Sequence, residues 1–319
     1  MKIVVLDGFA ANPGDISWDG IRSQGELFVY ERTQASDIIE RIGDAQIACT
    51  NKCAITAEIM DACPSLKLIC VFATGYNIID VEAAKARGVL VANIPAYSTN
   101  SVAQMTFALI LELCHHVGEH SHSVHTGAWV NSRDFTFWNY PLIELSGKTL
   151  GLVGFGQIGN AVAKIALAMN MNVLVNRQNM TKPLPEGAVT YASIDELLAQ
   201  SDIVSLHCPL TKSNSGFINK ASIAEMKDGA MLINTARGAL VNECDLAEAL
   251  KSGKLFGAAV DVLGTEPPKG DNPLLACDNC VITPHIAWAP KEARLRLFEI
   301  AERNIKSFIE GNPINIVNR

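Results

Sequence analysis

A strand that runs into a glycine-rich turn and then into a helix lies in the middle of this 319-residue chain. Residues 149–153 are mostly apolar, and Gly154, Gly156 and Gly159 follow in a G-x-G-x-x-G pattern before a helical stretch from Asn160 to Met169. In this pattern the first glycine allows a tight turn, the second lets the backbone approach a pyrophosphate, and the third lets the helix pack closely. Because the helix N-terminus then faces anionic oxygens, the motif predicts a dinucleotide site.

The composition favours a globular, soluble protein that binds small molecules. With 49% hydrophobic and 18% charged residues and a net charge of −7, the chain offers no basic surface for nucleic acid or for an anionic membrane. The apolar run at the N-terminus is too short for a secretory signal. The most apolar longer run, Val102–Leu113, contains Gln104, Thr106 and Glu112, which a membrane helix would not favour. We therefore expect a cytoplasmic protein.

The cysteines and histidines do not form a convincing metal motif. Nine cysteines are present, and Cys49, Cys70 and Cys208 lie in apolar runs, as buried reduced thiols do. Cys277 and Cys280 form a C-x-x-C pair without a second pair at zinc-site spacing. Five histidines crowd one segment: His115, His116, His120, His122 and His125. Two of them have the i, i+4 spacing of a helical chelate, but a solvated helix end or a dimer contact explains the cluster equally, and we expect no metal.

Buried-strand patterns alternate with helical ones on both sides of the glycine turn. Before it the apolar runs are Lys2–Leu6, Leu27–Tyr30, Ile47–Thr50, Leu66–Val71 and Val89–Ala92. After it they are Val173–Val175, Ile203–His207, Ala230–Asn234, Gly257–Val262 and Val281–Thr283, with helices such as Ile194–Gln200 and Asn242–Ser252 between them. This alternation predicts two parallel sheets covered by helices on both faces.

Two further segments stand outside this alternation. A long helix is predicted from about Thr99, and an aromatic loop, Trp129–Tyr140, leads from it to the glycine turn. The last helical segment, Pro290–Glu310, follows the completed second sheet, so we expect it to pack back on the first domain.

Three charged residues stand at or just after the carboxyl ends of predicted strands, where open α/β sheets bind ligands: Arg237, Glu266 and His285. Singly, each also fits a plainer role. Arg237 fits a surface ion pair, Glu266 a solvated loop residue and His285 a capped loop histidine.

Together, the motifs resemble those of the D-isomer-specific 2-hydroxyacid dehydrogenases. The matching segments, in order, are 73–80, 97–104, 154–159, 234–238, 261–268 and 283–288, so the resemblance covers essentially the whole chain. It implies an α/β fold of two doubly wound parallel-sheet domains, in which a Rossmann nucleotide domain (99–288) is inserted into a flavodoxin-like substrate domain (1–98 and 289–319). Such an insertion explains the central position of the glycine turn and the leftover last helix.

The resemblance assigns roles that make independent chemical sense. Reduction of a 2-keto acid needs a cation for the carboxylate and the developing oxyanion, and a proton donor for that oxygen. Arg237 matches the first, since its planar fork fits a carboxylate. His285 matches the second, as acid in reduction and base in oxidation. Glu266 matches the carboxylate that orients the imidazole and stabilises its protonated form.

Further binding residues follow from the same resemblance. Asp261 matches the residue that bonds the nicotinamide carboxamide, although a local turn bond is an alternative. Thr74 and Gly75 match the loop whose amides hold the substrate carboxylate. Phosphoglycerate dehydrogenases carry an arginine where this chain has Val71, so a phosphate would be poorly matched. The other matched cofactor contacts are Gly154, Gly156, Gln157, Ile158, Gly159, Arg177, His207, Pro209, Thr235 and Ala236.

Within the family, segments 71–77, 97–104 and 285–294 resemble most the glycerate dehydrogenases, also called hydroxypyruvate reductases. We therefore expect a reductase of hydroxypyruvate or glyoxylate that works as a homodimer, with Trp138 a candidate pocket wall or a packing residue. A reductase of another 2-keto acid and a cofactor-sensing, corepressor-like binding protein are the alternatives. A formate dehydrogenase is disfavoured, because that branch pairs the histidine with glutamine and this chain has Glu266.

The cofactor choice depends on the end of the second nucleotide-domain strand. Enzymes that use NAD usually place Asp or Glu there to bond the ribose 2′-hydroxyl, whereas this chain has Arg177, with Lys182 nearby. The two cations would attract a 2′-phosphate. Arg177 stacked on adenine, in an enzyme that still accepts NAD, is the alternative. We expect an NAD(P) enzyme that leans to NADP(H).

Overall fold

The computed structural model describes residues 1–177, 183–184, 187 and 189–319. The chain forms two compact units. Unit 1 contains Met1–Ser98 and Trp288–Arg319, and unit 2 contains Thr99–Ala287. The second crossing between the units lies one residue before the 288/289 boundary that the sequence indicated, and Trp288 packs against the core of unit 1.

Unit 1 is built on a five-stranded parallel sheet. Its strands are β1 (Lys2–Val5), β2 (Glu26–Val29), β3 (Ile47–Thr50), β4 (Leu68–Val71) and β5 (Leu90–Ala92). Its short helices are α1 (Gly8–Ala11), α2 (Asp19–Arg22), α3 (Ile38–Ile42), α4 (Ala57–Ala62) and α5 (Val81–Ala86). The strand order β2-β1-β3-β4-β5 is the flavodoxin-like order.

Unit 2 is built on a seven-stranded parallel sheet. Its strands are β6 (Thr149–Val153), β7 (Asn172–Asn176), β8 (Val189–Tyr191), β9 (Ile203–Leu206), β10 (Ala230–Asn234), β11 (Leu255–Val260) and β12 (Cys280–Ile282). Its helices are α6 (Thr99–His115), α7 (Val117–His125), α8 (Gln157–Ala168), α9 (Ile194–Gln200), α10 (Lys220–Glu225) and α11 (Glu243–Lys251). The order β12-β11-β10-β9-β6-β7-β8 is the Rossmann order with one further strand at the β12 edge.

The apolar runs in the sequence became strands, and those in the middle of each sheet are the most buried because helices cover both faces. Every residue of β3, β9 and β10 is buried, and the four hydrophobic cores lie on the two faces of the two sheets. Strand β8 was not predicted: it is a three-residue edge strand with no buried residue, so it has no apolar run. Helix α8 begins at Gln157, three residues before the predicted start, because the turn passes directly into the helix at Gly156.

The last helix, α12 (Lys291–Ile309), packs on the unit 1 sheet, as the sequence indicated. Leu297, Phe298 and Ala301 belong to the same core as Phe72 of the loop after β4. Arg294, in the first turn of α12, is 8% exposed and donates from Nε to the carbonyl of Ala289 at 2.9 Å. This bond fixes the start of the helix. No helix within the described part of the chain combines the length and the apolar character that spanning a membrane requires.

Candidate active site

The strand order of unit 2 places the predicted site residues side by side along one edge of the sheet. His285 follows β12, Glu266 follows β11, Arg237 follows β10 and His207 follows β9, and these four strands are neighbours in that order. All strands are parallel, so the four loops leave the same carboxyl edge, and neighbouring strands are about 4.8 Å apart. The fold therefore brings together residues that are far apart in sequence.

His285 and Glu266 form a direct pair. The Nδ1 atom of His285 lies 2.6 Å from Oε2 of Glu266, and the other carboxylate oxygen accepts the backbone N–H of Leu263 at 3.2 Å. A carboxylate only accepts, so Nδ1 carries the proton and Nε2 is the ring atom left for a ligand. The side chains are 26% and 30% exposed, which leaves a route for a small molecule.

The loop that carries His285 is fixed by Asp261. This carboxylate is 1% exposed; its Oδ1 accepts the hydroxyl of Thr283 at 2.6 Å and the amide of Ile286 at 2.8 Å, and its Oδ2 accepts the amide of Ala287 at 2.9 Å. These bonds hold the backbone of His285 at a φ of +54°, a conformation that costs free energy in a residue with a side chain. These partners lie 22 to 26 residues further along the chain, so the bonds are not the local turn bond considered from the sequence, and Oδ2 retains a lone pair for a further donor.

Arg237 lies on a turn that the side chain of Asn234 closes. Asn234 is 1% exposed; its Oδ1 accepts the amide of Ala236 at 3.0 Å, and its Nδ2 donates to the carbonyl of Arg237 at 2.9 Å. The guanidinium donates from Nη1 to the carbonyl of Ala236 at 2.7 Å. No described acidic side chain is paired with Arg237, so its other N–H groups are available to an anionic ligand.

Two polar residues that support this turn had no role in the sequence-based prediction. Besides Asn234, Thr106 of α6 lies 3.1 Å from the Thr235 hydroxyl, oxygen to oxygen, and donates to the carbonyl of Val102 at 2.8 Å. Because the Thr106 proton is used on Val102, the Thr235 hydroxyl is the donor of the pair. Both threonines are at most 8% exposed. Each of the two supporting residues, Asn234 and Thr106, is a polar residue in an otherwise apolar stretch. Because a buried polar group needs a hydrogen-bond partner, this pattern could have indicated their role.

The glycine turn has the space and the donors that a pyrophosphate needs. Gly154 has a φ of +98°, and a Cβ on Gly159 would lie 2.5 Å from the carbonyl oxygen of Gly154, which explains the close helix packing. At Gly156 a Cβ would meet no atom of the described residues within 4 Å, so these residues leave the approach to the backbone open. Gly156, the N-cap of α8, has no side chain to cap the helix, and the first turn of α8 contains no acidic residue. These features fit the pyrophosphate of a dinucleotide.

Arg177 and the glycine turn line one groove in unit 2. The groove has a volume of about 1090 Å³ and lies between α6 and α8, with Gly156, Gln157 and Arg177 among its lining residues. Arg177 follows β7 directly, is half-buried and pairs with no described residue. The other predicted cation, Lys182, lies outside the described residues.

His207 and Pro209 follow β9, next to the glycine turn. A Cβ on Gly154 would lie 2.6 Å from the carbonyl carbon of His207, so the two loops touch. The Nε2 atom of His207 lies 2.9 Å from the hydroxyl of Ser205, and burial lowers the pKa of His207 to about 4. His207 is therefore neutral at pH 7 and adds no positive charge to the site. Pro209 is exposed, and its carbonyl accepts from Asn214.

Thr74 and Gly75 lie in unit 1, in the loop after β4. The Thr74 hydroxyl donates to the carbonyl of Ile94 at 2.7 Å, and the Thr74 carbonyl accepts from Asn93 at 2.8 Å. These bonds fix the loop, while the amides of Thr74 and Gly75 donate to no acceptor among the described residues. The loop thus presents two amides that an anion can use.

The histidine cluster has a structural role. His116 stacks on Tyr140 with ring centroids 4.4 Å apart, and His120 bonds the backbone of the segment through both ring nitrogens. No group of three His, Cys, Asp or Glu side chains within the described ranges has the geometry of a metal site. Trp138 is 63% exposed on the surface of unit 2.

Comparison with known proteins agrees with this geometry. Residues 107–287 match the model of the D-isomer specific 2-hydroxyacid dehydrogenase NAD binding domain. A hydroxypyruvate reductase of Blautia hydrogenotrophica is 51% identical over the full length of both chains, and a glycerate dehydrogenase of Methylorubrum extorquens is 39% identical over 90% of each. A solved structure of an acyclic imino acid reductase in complex with NADPH and D-Arg superposes with a TM-score of 0.87 at 31% identity, covering 99% of this chain and 100% of that one. The chain thus belongs to the D-isomer-specific 2-hydroxyacid dehydrogenases, a family of NAD-binding oxidoreductases.

Proposed function

We propose that this enzyme reduces hydroxypyruvate or glyoxylate, using the three residues that the sequence singled out. The observation that carries the proposal is the His285–Glu266 pair, whose 2.6 Å contact leaves Nε2 for the substrate; Arg237, at the same edge of the sheet, keeps unused donors. This set supplies the proton donor and the cation that reduction of a 2-keto acid requires. The names of the relatives from Blautia and Methylorubrum favour hydroxypyruvate as the first substrate to test.

In the proposed reaction each residue acts at a defined atom. Arg237 binds the substrate carboxylate and polarises the carbonyl at C2. His285 donates the proton on Nε2 to the carbonyl oxygen, and Glu266 stabilises the imidazolium before the transfer. A bound reduced nicotinamide supplies the hydride, so that the ketone gains one hydride and one proton and becomes the D-2-hydroxy acid. In oxidation the same nitrogen takes the proton back.

Further contacts complete the proposal. The amides of Gly156, Gln157, Ile158 and Gly159 would hold the pyrophosphate, next to the loops of His207, Pro209, Thr235 and Ala236. Gly154 would shape the turn, since its own amide donates to the carbonyl of Asn176 at 2.9 Å. The free position on Oδ2 of Asp261 would accept the nicotinamide carboxamide. The amides of Thr74 and Gly75 would bind the substrate carboxylate. The support is the space beside Gly156, the remaining lone pair on Oδ2 of Asp261 and the two amides of Thr74 and Gly75 that no described acceptor uses.

We propose NADPH as the preferred cofactor. The support is Arg177, a half-buried cation without a described partner at the end of β7, where a carboxylate would repel a 2′-phosphate. The alternative, stacking on adenine, would accept NADH equally well, and the assay below separates the two.

We also propose a homodimer. Segment 126–142 has no regular secondary structure and exposes large apolar side chains: Trp129, Val130, Phe135, Trp138, Tyr140 and Leu142. A patch of this kind usually marks a protein interface, and a second copy of the chain is the simplest complement because one symmetric contact buries both patches. Light scattering on the purified enzyme tests this. A mass near 34.3 kDa instead of twice that value would contradict it.

The central experiment is a substrate panel with purified protein. Hydroxypyruvate, glyoxylate and pyruvate are each offered with NADH and with NADPH, and the loss of reduced cofactor is followed. We expect turnover with hydroxypyruvate and a loss of about a thousandfold or more in His285→Ala, since general acid catalysis contributes about 10²–10⁴-fold. No turnover with any pair, or an active His285→Ala, would refute the proposal. Cofactor-dependent capture of a protein partner without turnover would instead favour the corepressor-like alternative.

A further inference from the structure

Glu243 is a half-buried carboxylate that no part of the proposed mechanism uses. It lies in the first turn of α11, and its two oxygens bond two separate points of the next loop. Oε1 accepts the amide of Gly264 at 2.7 Å, and Oε2 accepts from Nδ2 of Asn272 at 2.9 Å. The two bonded residues bracket Glu266.

The bracketed segment depends on such bonds because it has no regular structure of its own. Between the end of β11 at Val260 and the 3₁₀ helix Pro273–Ala276 there is no helix or strand. Asn272 is itself fixed, since its Oδ1 accepts the amide of Leu274 at 3.0 Å and caps that 3₁₀ helix. Glu243 therefore bonds the loop at two points: the amide of Gly264 near its start and the side chain of Asn272 near its end, where Asn272 also caps the 3₁₀ helix.

The same peptide also contacts the turn that carries Arg237. A Cβ on Gly238 would lie only 2.4 Å from the nitrogen of Gly264, so this amide is enclosed between the Arg237 turn and the Glu243 carboxylate. Helix α11 starts six residues after Arg237. Its first turn therefore connects the Arg237 turn, through a short stretch of chain, to the carboxylate that bonds the Glu266 loop.

From these contacts we propose that Glu243 is a positioning residue that sets Glu266 against His285 and fixes the Glu266 loop against the Arg237 turn. The inference rests on the proposed roles of Glu266 and His285. Glu243 touches neither substrate nor cofactor in this scheme; it acts through the amide of Gly264 and the side chain of Asn272.

The proposal predicts a kinetic pattern that a general loss of stability would not produce. In Glu243→Gln the new NH₂ group faces a donor, either Gly264 N–H or Asn272 Nδ2, so one of the two bonds is lost. A displaced Glu266 stabilises the protonated His285 less, so the loss of activity grows as the pH rises. The KM for the keto acid changes little, because Arg237 keeps its own turn.

The experiment compares the wild-type enzyme, Glu243→Gln, Asn272→Ala and Glu248→Gln for hydroxypyruvate reduction at about pH 6.5 and about pH 8.5. Glu248 is the matched control: it lies on the same helix, is exposed and, among the described residues, its side chain pairs with Lys220 alone, at 3.0 Å. We expect kcat of Glu243→Gln to fall about fivefold at the lower pH and about thirtyfold at the higher, with KM within about threefold. Asn272→Ala, which also loses one bond, should show the same trend, and Glu248→Gln should match the wild type.

Two results would overturn the inference: kcat of Glu243→Gln within twofold of the wild type at both pH values, or an equal loss at both. Thermal unfolding of each variant confirms that the folded enzyme is compared. Glu266→Gln separates this test from that of the proposed function. If Glu266→Gln does not change the pH dependence, the role of Glu266 is wrong; if it does and Glu243→Gln does not, the role of Glu243 alone is wrong. A wild-type enzyme without turnover would contradict the proposed function itself.

Discussion

Gly238 lies where the turn carrying Arg237 passes closest to the loop carrying Glu266. A Cβ on this buried residue would lie 1.9 Å from the carbonyl carbon of Leu263 and 2.4 Å from the nitrogen of Gly264. Both obstacles are backbone atoms, so no change of rotamer relieves the clash. Ordinary contact for a Cβ begins at 3.4 Å, so in Gly238→Ala the two backbones must separate by about 1.5 Å, the difference between 3.4 and 1.9 Å.

This separation changes the geometry of the site directly. Arg237 is the neighbour of Gly238, and Glu266 is bonded to the amide of Leu263. If the shift is shared by the two loops, Arg237 moves relative to the His285–Glu266 pair by on the order of 1 Å, and a misplacement of this size costs about 100-fold in rate. We therefore expect kcat/KM to fall about 100-fold, equivalent to about 2.7 kcal/mol of transition-state stabilisation.

The assay is steady-state reduction of hydroxypyruvate by the wild type, Gly238→Ala and Gly270→Ala. Gly270 is the matched control, because it lies on the same loop and a Cβ there would meet nothing within 4 Å. Overpacking costs about 1–3 kcal/mol, so the melting temperature of Gly238→Ala should fall while the protein stays folded at 25 °C. If Gly238→Ala keeps kcat/KM within threefold of the wild type, the close approach of the two loops does not set the catalytic geometry.

Three further changes test other parts of the structure. Replacing Arg177 by Ser should lower the ratio of kcat/KM for NADPH to that for NADH about 10- to 100-fold, because a charge-assisted bond to a phosphate contributes about 1.5–3 kcal/mol; an unchanged ratio would favour adenine stacking. Thr106→Val leaves the buried Thr235 hydroxyl without its acceptor, so thermal unfolding should show a loss of about 1–3 kcal/mol, and a melting temperature equal to that of the wild type would contradict the pairing. In unit 1 the bidentate hydrogen bond from Arg294 lowers the pKa of Asp15 below its usual value near 3.8, so the pair stabilises the fold above that pH and the contribution is lost as the pH falls further. Asp15→Asn should therefore melt below the wild type at pH 7, and the difference in melting temperature should shrink as the pH falls below 3.8 through the lowered pKa of Asp15; a difference that stays constant with pH would contradict this.

The sequence predicted the parts of the fold that follow from local patterns. Ile47–Thr50 and Ile194–Gln200 have the predicted bounds in the structure. The first is a continuous apolar run in a sheet covered on both faces, and the second starts at a capping box in which Ser193 and Glu196 bond each other's backbone. Strand β8 was missed because its three residues, Val189–Tyr191, form no continuous apolar run.

The sequence predicted the site residues that belong to a motif, but not the contacts that hold them in place. The sequence placed Arg237, Glu266 and His285 at strand ends, but no pattern indicated that Asp261 fixes the His285 loop through three bonds. Nor did any motif mark Glu243, which acts on a loop 21 residues further along the chain. Such contacts depend on the tertiary packing of loops without regular structure, which neither periodicity nor turn chemistry encodes.

The order of the strands in unit 2, which the resemblance to a Rossmann domain implied, explains how the proposed site residues are arranged along the sheet. In sequence the glycine turn comes first and His285 last, but in the sheet β6 lies between β7 and β9, and β12 lies at one edge. The chain turns back at β6, and a crevice forms at such a switch point, where the pyrophosphate is expected. Arg237, after β10, is two strands or about 10 Å from this point, and His285, after β12, is four strands or about 19 Å from it. A dinucleotide that extended from the glycine turn towards β12 would carry its nicotinamide end towards His285, and its adenosine end would lie towards β7 and Arg177. We therefore expect a substitution at Arg177 to alter the NADPH/NADH ratio without altering the pH dependence that the proposed roles of His285 and Glu266 predict.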